Sequence, residues 1–372
     1  MKTASCCSIC GRTAIVSSAL GVCVDCLREN PDEAVPKALS GHGYSRRLFG
    51  LPATPPKTAG GIPCNLCAAN CSMGVGEKGY CGLRMNFGGR LISKTSAKQG
   101  LLHYYLDPHV TNCCNAYFCP AGTGKGYPKY ACKPGPETGY HNLALFFYGC
   151  SLNCLFCQNW SHKKISESPV VGVDELVTLT LKNSTISCWC WFGGSAEPQL
   201  PFAINASKAV HESKPSGRVL RICYEWNGDG NPWLVKKALE TVVESGGNVK
   251  FDLKAFDPNV HTALTGLDNS QILRNFEMVY REYYDRRADL PVLAATTLLV
   301  PGYVDKTEVT KIAEFIASLN PEIPYSLLIF HPDFMMKDLP ITPRSQVVEC
   351  YTIAKKRLKN VHIGNIHLLA FA

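Results

Sequence analysis

The spacing of hydrophobic and polar positions changes near residue 143, and from there short apolar runs alternate with longer amphipathic stretches. Stretches such as 232–244 and 306–319 have the spacing of helices that bury one face. Apolar strands separated by helices indicate a parallel sheet, in which functional residues gather at the carboxyl ends of the strands. The apolar runs predict strands near residues 143–148, 187–192, 218–223, 249–253, 293–299 and 325–330.

The first 140 residues lack this alternation and are rich in cysteine, glycine and proline. Only residues 90–106 alternate weakly, which predicts a strand or a hairpin. A polar, proline-rich stretch before residue 60 indicates a connector. The predicted organisation is a zinc-ribbon-like module at 1–30, a linker at 31–60, a Cys-rich region with a second metal module at 61–140, and an α/β domain at 141–372.

Two cysteine pairs, Cys7-x2-Cys10 and Cys23-x2-Cys26, open the chain. Paired knuckles of this kind hold zinc tetrahedrally, and the metal replaces a hydrophobic core that is too small to stand alone. Cys6 is an alternative ligand. The first module is therefore predicted to bind zinc, which says nothing about its function.

Two further groups of cysteines precede the α/β domain. The first has a spacing that suits one tetrahedral metal, and zinc, a single iron or a second iron–sulfur cluster would each fit. The second is irregular, and it either closes a third metal site or supplies ordinary thiols to a loop-rich lid. The first group is Cys64, Cys67, Cys71 and Cys81, and the second is Cys113, Cys114, Cys119 and Cys132.

The chain has 372 residues and 20 cysteines, far more cysteine than is usual. The C-x2-C spacings favour metal binding over disulfides, and we find no export signal, since the apolar segment 14–24 is short and lies between cysteine pairs. No apolar run approaches the ~20 residues that span a bilayer. These features predict a protein of a reducing, oxygen-poor cytoplasm that makes no use of a membrane.

The formal charge of +8 lies entirely in the first 140 residues, because residues 141–372 carry equal numbers of acidic and basic side chains. A basic arm on a neutral body could attract nucleic acid. Four-thiolate zinc sites carry a net charge of −2 each and would offset about half of the excess. No basic run with interleaved aromatic residues supports nucleic-acid binding, so we favour the metal sites as the explanation.

Three cysteines follow the first predicted strand of the α/β domain, at the spacing Cys150-x3-Cys154-x2-Cys157. Three thiolates hold three irons of a [4Fe–4S] cube and leave the fourth iron open to a small chelating ligand. The spacing alone also allows a zinc knuckle or three unrelated buried thiols. Motifs that follow the later strands favour the cluster.

Each later strand is followed by a motif that could contact a ligand. The glycine pair Gly193-Gly194 lets the backbone approach a ligand closely, and Asp252 and Lys254 face the same side of their strand. A carboxylate inside a strand is costly unless it is paired or bound. In strand order the motifs are FGGSAEPQ at 192–199, CYEWNG at 223–228, FDLK at 251–254, VPGYVD at 300–305 and FHP at 330–332.

The three cysteines, with Phe156 before the last of them, resemble the cluster motif of the radical S-adenosylmethionine (SAM) superfamily. The Glu-Trp-Asn-Gly at 225–228 resembles the Asp-Thr-Asn-Gly element of pyruvate formate-lyase activating enzymes, and the Asp-Leu-Lys at 252–254 matches that family. The Gly-Gly-Glu-Pro element of radical SAM enzymes is altered, since Ser195 stands at the acid's place and Glu197 follows two residues later.

The similarity covers roughly residues 61–372 and extends to the radical SAM member of the AmmeMemoRadiSam system and allied archaeal and bacterial proteins. It rests there on CLFCQNW at 154–160 and on the Cys64–Cys81 module with its Gly-Leu-Arg at 82–84. The ribbon is an addition to that pattern. The resemblance implies a partial (β/α)6 TIM-type barrel, the radical SAM domain, with N-terminal Cys-rich metal modules packed over or beside its open face.

The resemblance also implies a role for each motif. Cys150, Cys154 and Cys157 would ligate the catalytic [4Fe–4S] cluster, whose open iron binds SAM, and reductive cleavage of SAM would give methionine and a 5′-deoxyadenosyl radical. Phe156 would back the adenine, and Gly193 and Gly194 would contact the methionyl amine beside Ser195 and Glu197. The ribose, the carboxylate or a monovalent cation would lie among Glu225, Asn227, Asp252, Lys254 and His331.

We therefore expect a radical SAM enzyme that abstracts hydrogen from a protein or peptide, either as an activating enzyme or in a post-translational modification. It would use a low-potential electron donor such as ferredoxin or flavodoxin. One alternative is a radical SAM enzyme that modifies tRNA, gripped by the basic zinc-bearing arm. Another is a non-catalytic iron–sulfur adaptor, which would not cleave SAM.

Overall fold

The structure is a computed structural model that describes residues 5–287 and 290–371. Its strands are β1 Ser5–Cys6, β2 Thr13–Ala14, β3 Ile62–Cys64, β4 Cys71–Met73, β5 Arg84–Phe87, β6 Arg90–Ser93, β7 Gln99–Pro108, β8 His141–Phe147, β9 Val170–Gly172, β10 Ile186–Gly193, β11 Arg221–Trp226, β12 Val249–Asp252, β13 Leu293–Leu299, β14 Tyr325–Ile329 and β15 Val361–Gly364. Its helices are α1 Val24–Glu29, α2 Pro31–Arg47, α3 Pro120–Thr123, α4 Val173–Lys182, α5 Leu200–Ser213, α6 Pro232–Ser245, α7 Pro258–Thr265, α8 Ser270–Tyr283, α9 Lys306–Leu319 and α10 Arg344–Lys355.

The core of the molecule is a nine-stranded sheet in the order β15-β14-β13-β12-β11-β10-β8-β7-β9. The strands from β15 to β8 pair in parallel, and helices connect them in sequence. Nearly every residue of β8 and β13 is buried, as expected for strands covered on both faces. The predicted partial (β/α)6 barrel is confirmed, and β15 adds a seventh parallel strand that its short, half-buried sequence did not reveal.

Strand β7 extends the sheet beyond the predicted α/β domain. It pairs antiparallel with β8, from Leu102 opposite Phe147 to Pro108 opposite His141. It accounts for the second half of the weakly alternating stretch 90–106, and the hairpin of β5 and β6 contains the first residues of that stretch. The boundary predicted at residue 140 therefore falls within a continuous sheet.

Helix α2 occupies residues 31–47 of the stretch predicted as a linker at 31–60. Pro31 lies in the first turn, where its missing N–H costs nothing, and Asp32 and Glu33 complement the helix dipole. Arg46 and Arg47 lie in the last turn, where positive charge is favoured. The helix forms although Pro36 lies inside it.

Within the described parts of the chain, no helix combines the length and the apolar character needed to cross a bilayer.

Candidate functional site

The loop that leaves β8 carries three buried or half-buried thiols, those of Cys150, Cys154 and Cys157. Burial raises the pKa of Cys150 to about 12 and of Cys154 and Cys157 to about 11, and the neighbouring thiols add to each shift. Three adjacent thiols that resist ionisation by themselves are suited to a group that brings its own positive charge. The donor set therefore fits the iron–sulfur cluster that the spacing predicts.

Buried basic and polar side chains support this loop, and the sequence motifs did not reveal them. Lys163 donates to Asn153 Oδ1 at 2.7 Å, and its charge favours the thiolate forms of the three cysteines. Asn153 Nδ2 lies 2.9 Å from both His42 Nδ1 and Ser45 Oγ of α2. Because His42, Ser45 and Arg46 are all buried on one helix face, α2 forms the back wall of the cluster loop.

The glycine pair packs against the start of the same loop. A Cβ on Gly194 would lie 2.1 Å from the carbonyl oxygen of Gly149, and a Cβ on Gly193 would lie 2.7 Å from the amide nitrogen of Phe147. The Gly194 amide donates to Phe147 O at 2.9 Å and the Ser195 amide to Gly149 O at 3.3 Å. Because the amides of Gly194 and Ser195 are already hydrogen-bonded, the carbonyl groups of the glycine pair are the groups that could accept hydrogen bonds from an ammonium group.

Ser195 and Glu197 join two loops of the site. Glu197 is fully buried, accepts a hydrogen bond from the Ser195 hydroxyl, and accepts from the Gly228 amide at 2.6 Å. Burial raises the pKa of this carboxyl group. Glu197, the acid that follows the glycine pair, is thus hydrogen-bonded to the turn after β11. This contact explains why the acid stands two residues later than in the Gly-Gly-Glu-Pro element.

Asn227 contacts the cluster loop directly. Its Nδ2 lies 3.3 Å from Cys150 Sγ and 3.1 Å from Ser151 Oγ. Close to it in sequence, Asp229 is buried and accepts from Ser151 Oγ at 2.7 Å through Oδ1, whereas Oδ2 has no hydrogen-bond partner among the described residues. Asp229 was not among the predicted site residues.

Glu225, Asp252 and Lys254 belong to one charged network at the ends of β11 and β12. Lys254 Nζ contacts Asp252 Oδ2 at 2.7 Å, and Lys250 Nζ bridges Asp252 Oδ1 at 2.9 Å and Glu225 Oε2 at 3.2 Å. Burial alone would raise the pKa of Asp252, but the two lysines lower it to about 2. The ammonium group of Lys250 occupies the position between the two carboxylates.

Lys250 was missed because it precedes the recognised motif. Strand β11 runs three residues further than predicted, and Glu225 pairs in register with Lys250 of β12. Residues opposite each other on neighbouring strands contact on the same face. Lys250, Asp252 and Lys254 have the spacing of two that places all three on one side of the chain.

Phe156 and His331 lie in different environments. Phe156 is buried in the main hydrophobic core. His331 follows β14 and is exposed. Both residues follow a strand, β8 or β14, and the ion pairs of the charged network described above include neither of them.

A cavity of ≈ 370 Å³ lies inside the barrel, next to this network. Interior side chains of β8, β10, β11 and β12 line it together with residues 109–116 and 119–122 and with Gln158 and Asn159 of the cluster loop. Glu225 and Lys250 face into it. The cavity therefore connects the cluster loop with the barrel interior.

The N-terminal module brings its four cysteines together as predicted. The Sγ atoms of Cys7 and Cys26 and those of Cys10 and Cys23 lie 3.8 Å apart, and all four lie within 4.8 Å of one another. A tetrahedron with Zn–S bonds of ~2.3 Å has edges of about 3.8 Å. The donor atoms fit one tetrahedral metal ion.

The module docks on the element after β13. Tyr303 OH donates to Val22 O at 2.9 Å, and Arg28 contacts Asp305 at 2.9 Å and the buried Glu308 at 2.8 Å. The VPGYVD motif at 300–305 thus contributes to anchoring the ribbon.

Replacing Cys7 and Cys10 by serine should remove one zinc per chain and leave the β8-loop cluster in place, because the thiols that these two contact, Cys26 and Cys23, lie in the same module. The measurement is zinc and iron content after anaerobic reconstitution. Cys6→Ser is the matched control, since Cys6 is exposed and outside the group of four, and it should keep the zinc. Loss of the cluster in the double variant would contradict this assignment.

The second module is less compact. Cys64 and Cys71 are opposite each other in β3 and β4, and Cys71 Sγ accepts from the Tyr80 amide at 3.2 Å. Among the described residues, the groups with three or more donor atoms within 4.8 Å of one another are the ribbon and Cys113, Cys114 and Glu225. A metal held by Cys64, Cys67, Cys71 and Cys81 stays a prediction.

Comparisons with known proteins agree with these motifs. The family model described as the radical SAM superfamily matches residues 145–316. The pyruvate formate-lyase-activating enzyme of Staphylococcus aureus is 31% identical over 211 residues, which cover 53% of this chain and 76% of that enzyme.

Two solved structures are also similar. A domain of a pyruvate-formate lyase-activating enzyme from Bacteroides vulgatus has a TM-score of 0.36 at 23% identity, covering 47% of this chain and 98% of that one. Streptococcus suis SuiB bound to the precursor peptide SuiA has a TM-score of 0.45 at 12% identity, covering 60% and 48%. The sequence match to the S. aureus enzyme and the thiols of the β8 loop together show that this chain belongs to the radical SAM superfamily, in the branch of the pyruvate formate-lyase-activating enzymes.

Proposed function

We propose that this enzyme cleaves SAM reductively at the β8 loop and abstracts hydrogen from a protein or peptide substrate. The observation that carries the proposal is the position of the thiol loop: Cys150 contacts Asn227, Lys254 acts electrostatically on Cys154, and Gln158 and Asn159 of the same loop line the barrel cavity. When bound, a [4Fe–4S] cluster would supply the electron that cleaves SAM to methionine and the 5′-deoxyadenosyl radical.

The residues of the chain would hold SAM by complementary charge. The carbonyl groups of Gly193 and Gly194 would accept from the methionyl ammonium group, and Lys254 would donate to the carboxylate. Burial alone would lower the pKa of Lys254, but Asp252 raises it overall, so the side chain is a cation at neutral pH. The buried side chains around the β8 loop would exclude water from the reacting groups.

The cavity favours a substrate that inserts a small group. Its volume of ≈ 370 Å³ is near the lower end of the ~300–1,000 Å³ typical of ligand pockets. A protein or peptide would therefore present one residue or a tight turn. The S. aureus relative is named for activating another enzyme, which supports a protein substrate. A low-potential donor such as ferredoxin or flavodoxin would reduce the cluster in a reducing cytoplasm.

The test is anaerobic incubation of the reconstituted enzyme with SAM and dithionite, followed by chromatography of the products. We expect 5′-deoxyadenosine and methionine in equal amounts. A non-catalytic adaptor would form neither. Affinity for tRNA that falls steeply with salt would instead favour a nucleic-acid substrate.

Lys254→Ala should weaken SAM binding roughly 10–100-fold, or ~1.4–2.8 kcal/mol, because a charge-assisted contact is lost. The fold should tolerate this change, since Asp252 keeps Lys250 at 2.9 Å. Anaerobic titration of the cluster's EPR signal with SAM measures the affinity. Lys306→Ala removes an exposed lysine and is the control. Unchanged SAM affinity with a lower melting temperature would assign Lys254 to the scaffold.

A further inference from the structure

Two adjacent cysteines converge with a glutamate inside the barrel. One donor atom from each of Cys113, Cys114 and Glu225 lies within 4.8 Å of the others, and all three residues line the ≈ 370 Å³ cavity. The cysteines come from the segment between β7 and α3, whereas Glu225 comes from β11. Cys119 and Cys132, which share the Cys-rich segment in the sequence, lie outside this group.

Each of the three candidate ligand side chains already has a polar neighbour that could hold it in place as a metal ligand. The Asn115 amide lies 3.3 Å from Cys113 Sγ, and Thr296 Oγ1 lies 3.3 Å from Cys114 Sγ. Glu225 Oε1 accepts from Cys113 Sγ at 2.8 Å, and its Oε2 is held by Lys250 at 3.2 Å. Outer partners of this kind fix the orientation of ligands around a metal ion.

The segment is anchored to the barrel independently of the thiols. Asn115 is buried and donates to Asn248 Oδ1 at 2.7 Å, and Ser326 Oγ donates to Cys114 O at 2.9 Å. Tyr117 stacks on His362 with ring centroids 4.5 Å apart. The two cysteines are therefore held in place by strands β14 and β15 and by the residue preceding β12.

We propose that Cys113, Cys114 and Glu225 bind one zinc ion whose fourth coordination position faces the cavity. Two thiolates and a carboxylate form a donor set that zinc accepts, and sites with three protein ligands keep a position for water or substrate. The charges balance, because the three anionic ligands are offset by Zn²⁺ and by the ammonium group of Lys250. If the proposed function holds, this position takes a sulfur, nitrogen or oxygen donor of the inserted substrate group.

The test compares two double variants by elemental analysis of the full chain, purified anaerobically and without SAM or reductant. Cys113→Ser/Cys114→Ser should contain one zinc fewer per chain than the wild type. Cys119→Ser/Cys132→Ser, which removes two cysteines of the same segment from outside the group, should keep the full zinc content. Equal zinc in both variants would overturn the proposal. So would a Cys113–Cys114 disulfide in the wild type, seen as a peptide lighter by two hydrogens.

If the first double variant does not fold, two single substitutions at Cys114 provide the test instead. Cys114→His replaces one zinc ligand by another and should retain the zinc that Cys114→Ser loses. Equal loss in both would contradict ligation by Cys114. Because the zinc content is measured without SAM, it stands apart from the formation of 5′-deoxyadenosine, so failure of the proposed function and failure of this site are distinguishable.

Discussion

Replacing Cys150, Cys154 and Cys157 together by alanine should remove about four irons per chain and abolish the EPR signal that changes when SAM is added. These three thiols lie on the loop that Asn227 and Lys163 support through Cys150 and Asn153. Iron content and EPR spectra of the reduced protein, both recorded anaerobically, measure the loss.

The matched control replaces three cysteines that line the neighbouring cavity, Cys188, Cys190 and Cys223. They come from β10 and β11, and their removal should leave the SAM-responsive signal in place. A triple variant of the β8 loop that retained this signal would show that the cluster lies elsewhere.

Glu137→Gln should lower the stability of the fold by ~3–5 kcal/mol, because it leaves a buried charge without its partner. Glu137 is fully buried and accepts from Arg221 at 2.6 and 2.7 Å and from Ser187 Oγ at 2.7 Å. At ~2 °C per kcal/mol for a chain of this size, the melting temperature should fall by roughly 6–10 °C. Anaerobic thermal unfolding measures the change.

The control for this prediction is Glu322→Gln, which breaks the exposed contact with Lys359 and should cost at most ~1 kcal/mol.

The pH dependence of stability gives a second check. Burial alone would raise the pKa of Glu137, but Arg221 lowers it overall to below its ordinary value of 4.5. The contribution to stability is therefore full above about pH 4.5 and is lost as the pH falls through the folded-state pKa. If Glu137→Gln melted at the same temperature as Glu322→Gln, the stabilising role of Glu137 would be contradicted.

The strand ends of the barrel could be predicted because apolar runs and their following motifs are local features of the sequence. The position of Glu225 could not, since only its pairing with Lys250 shows that β11 continues through it. The alternation of two from Lys254 back through Asp252 would have indicated Lys250. The packing of α2 against the cluster loop could not be predicted from the sequence. The buried polar residues of α2 are recognisable as part of the site only through their contacts with Asn153, more than a hundred residues away.

The same dependence on contacts between distant residues explains which groups of cysteines could be predicted. The ribbon pairs are close in sequence, and their spacing was enough to bring them together. Cys113 and Cys114 join Glu225 across more than a hundred residues, so spacing within their own segment grouped them with Cys119 and Cys132 instead. Long-range contacts between a loop and a strand leave no local pattern.

The contact between α2 and the cluster loop determines how far the chain can be shortened before the loop loses its support. His42 Nε2 lies 2.8 Å from Ala263 O, and Arg46 packs on the Tyr80 ring with a separation of 3.4 Å from its centroid. A fragment trimmed to the family-like region at residue 61 would lose this whole face and leave Asn153 open to solvent. A fragment that begins at Pro31 would keep this face while omitting the ribbon, so comparing it with the full chain would show whether the radical chemistry requires the ribbon.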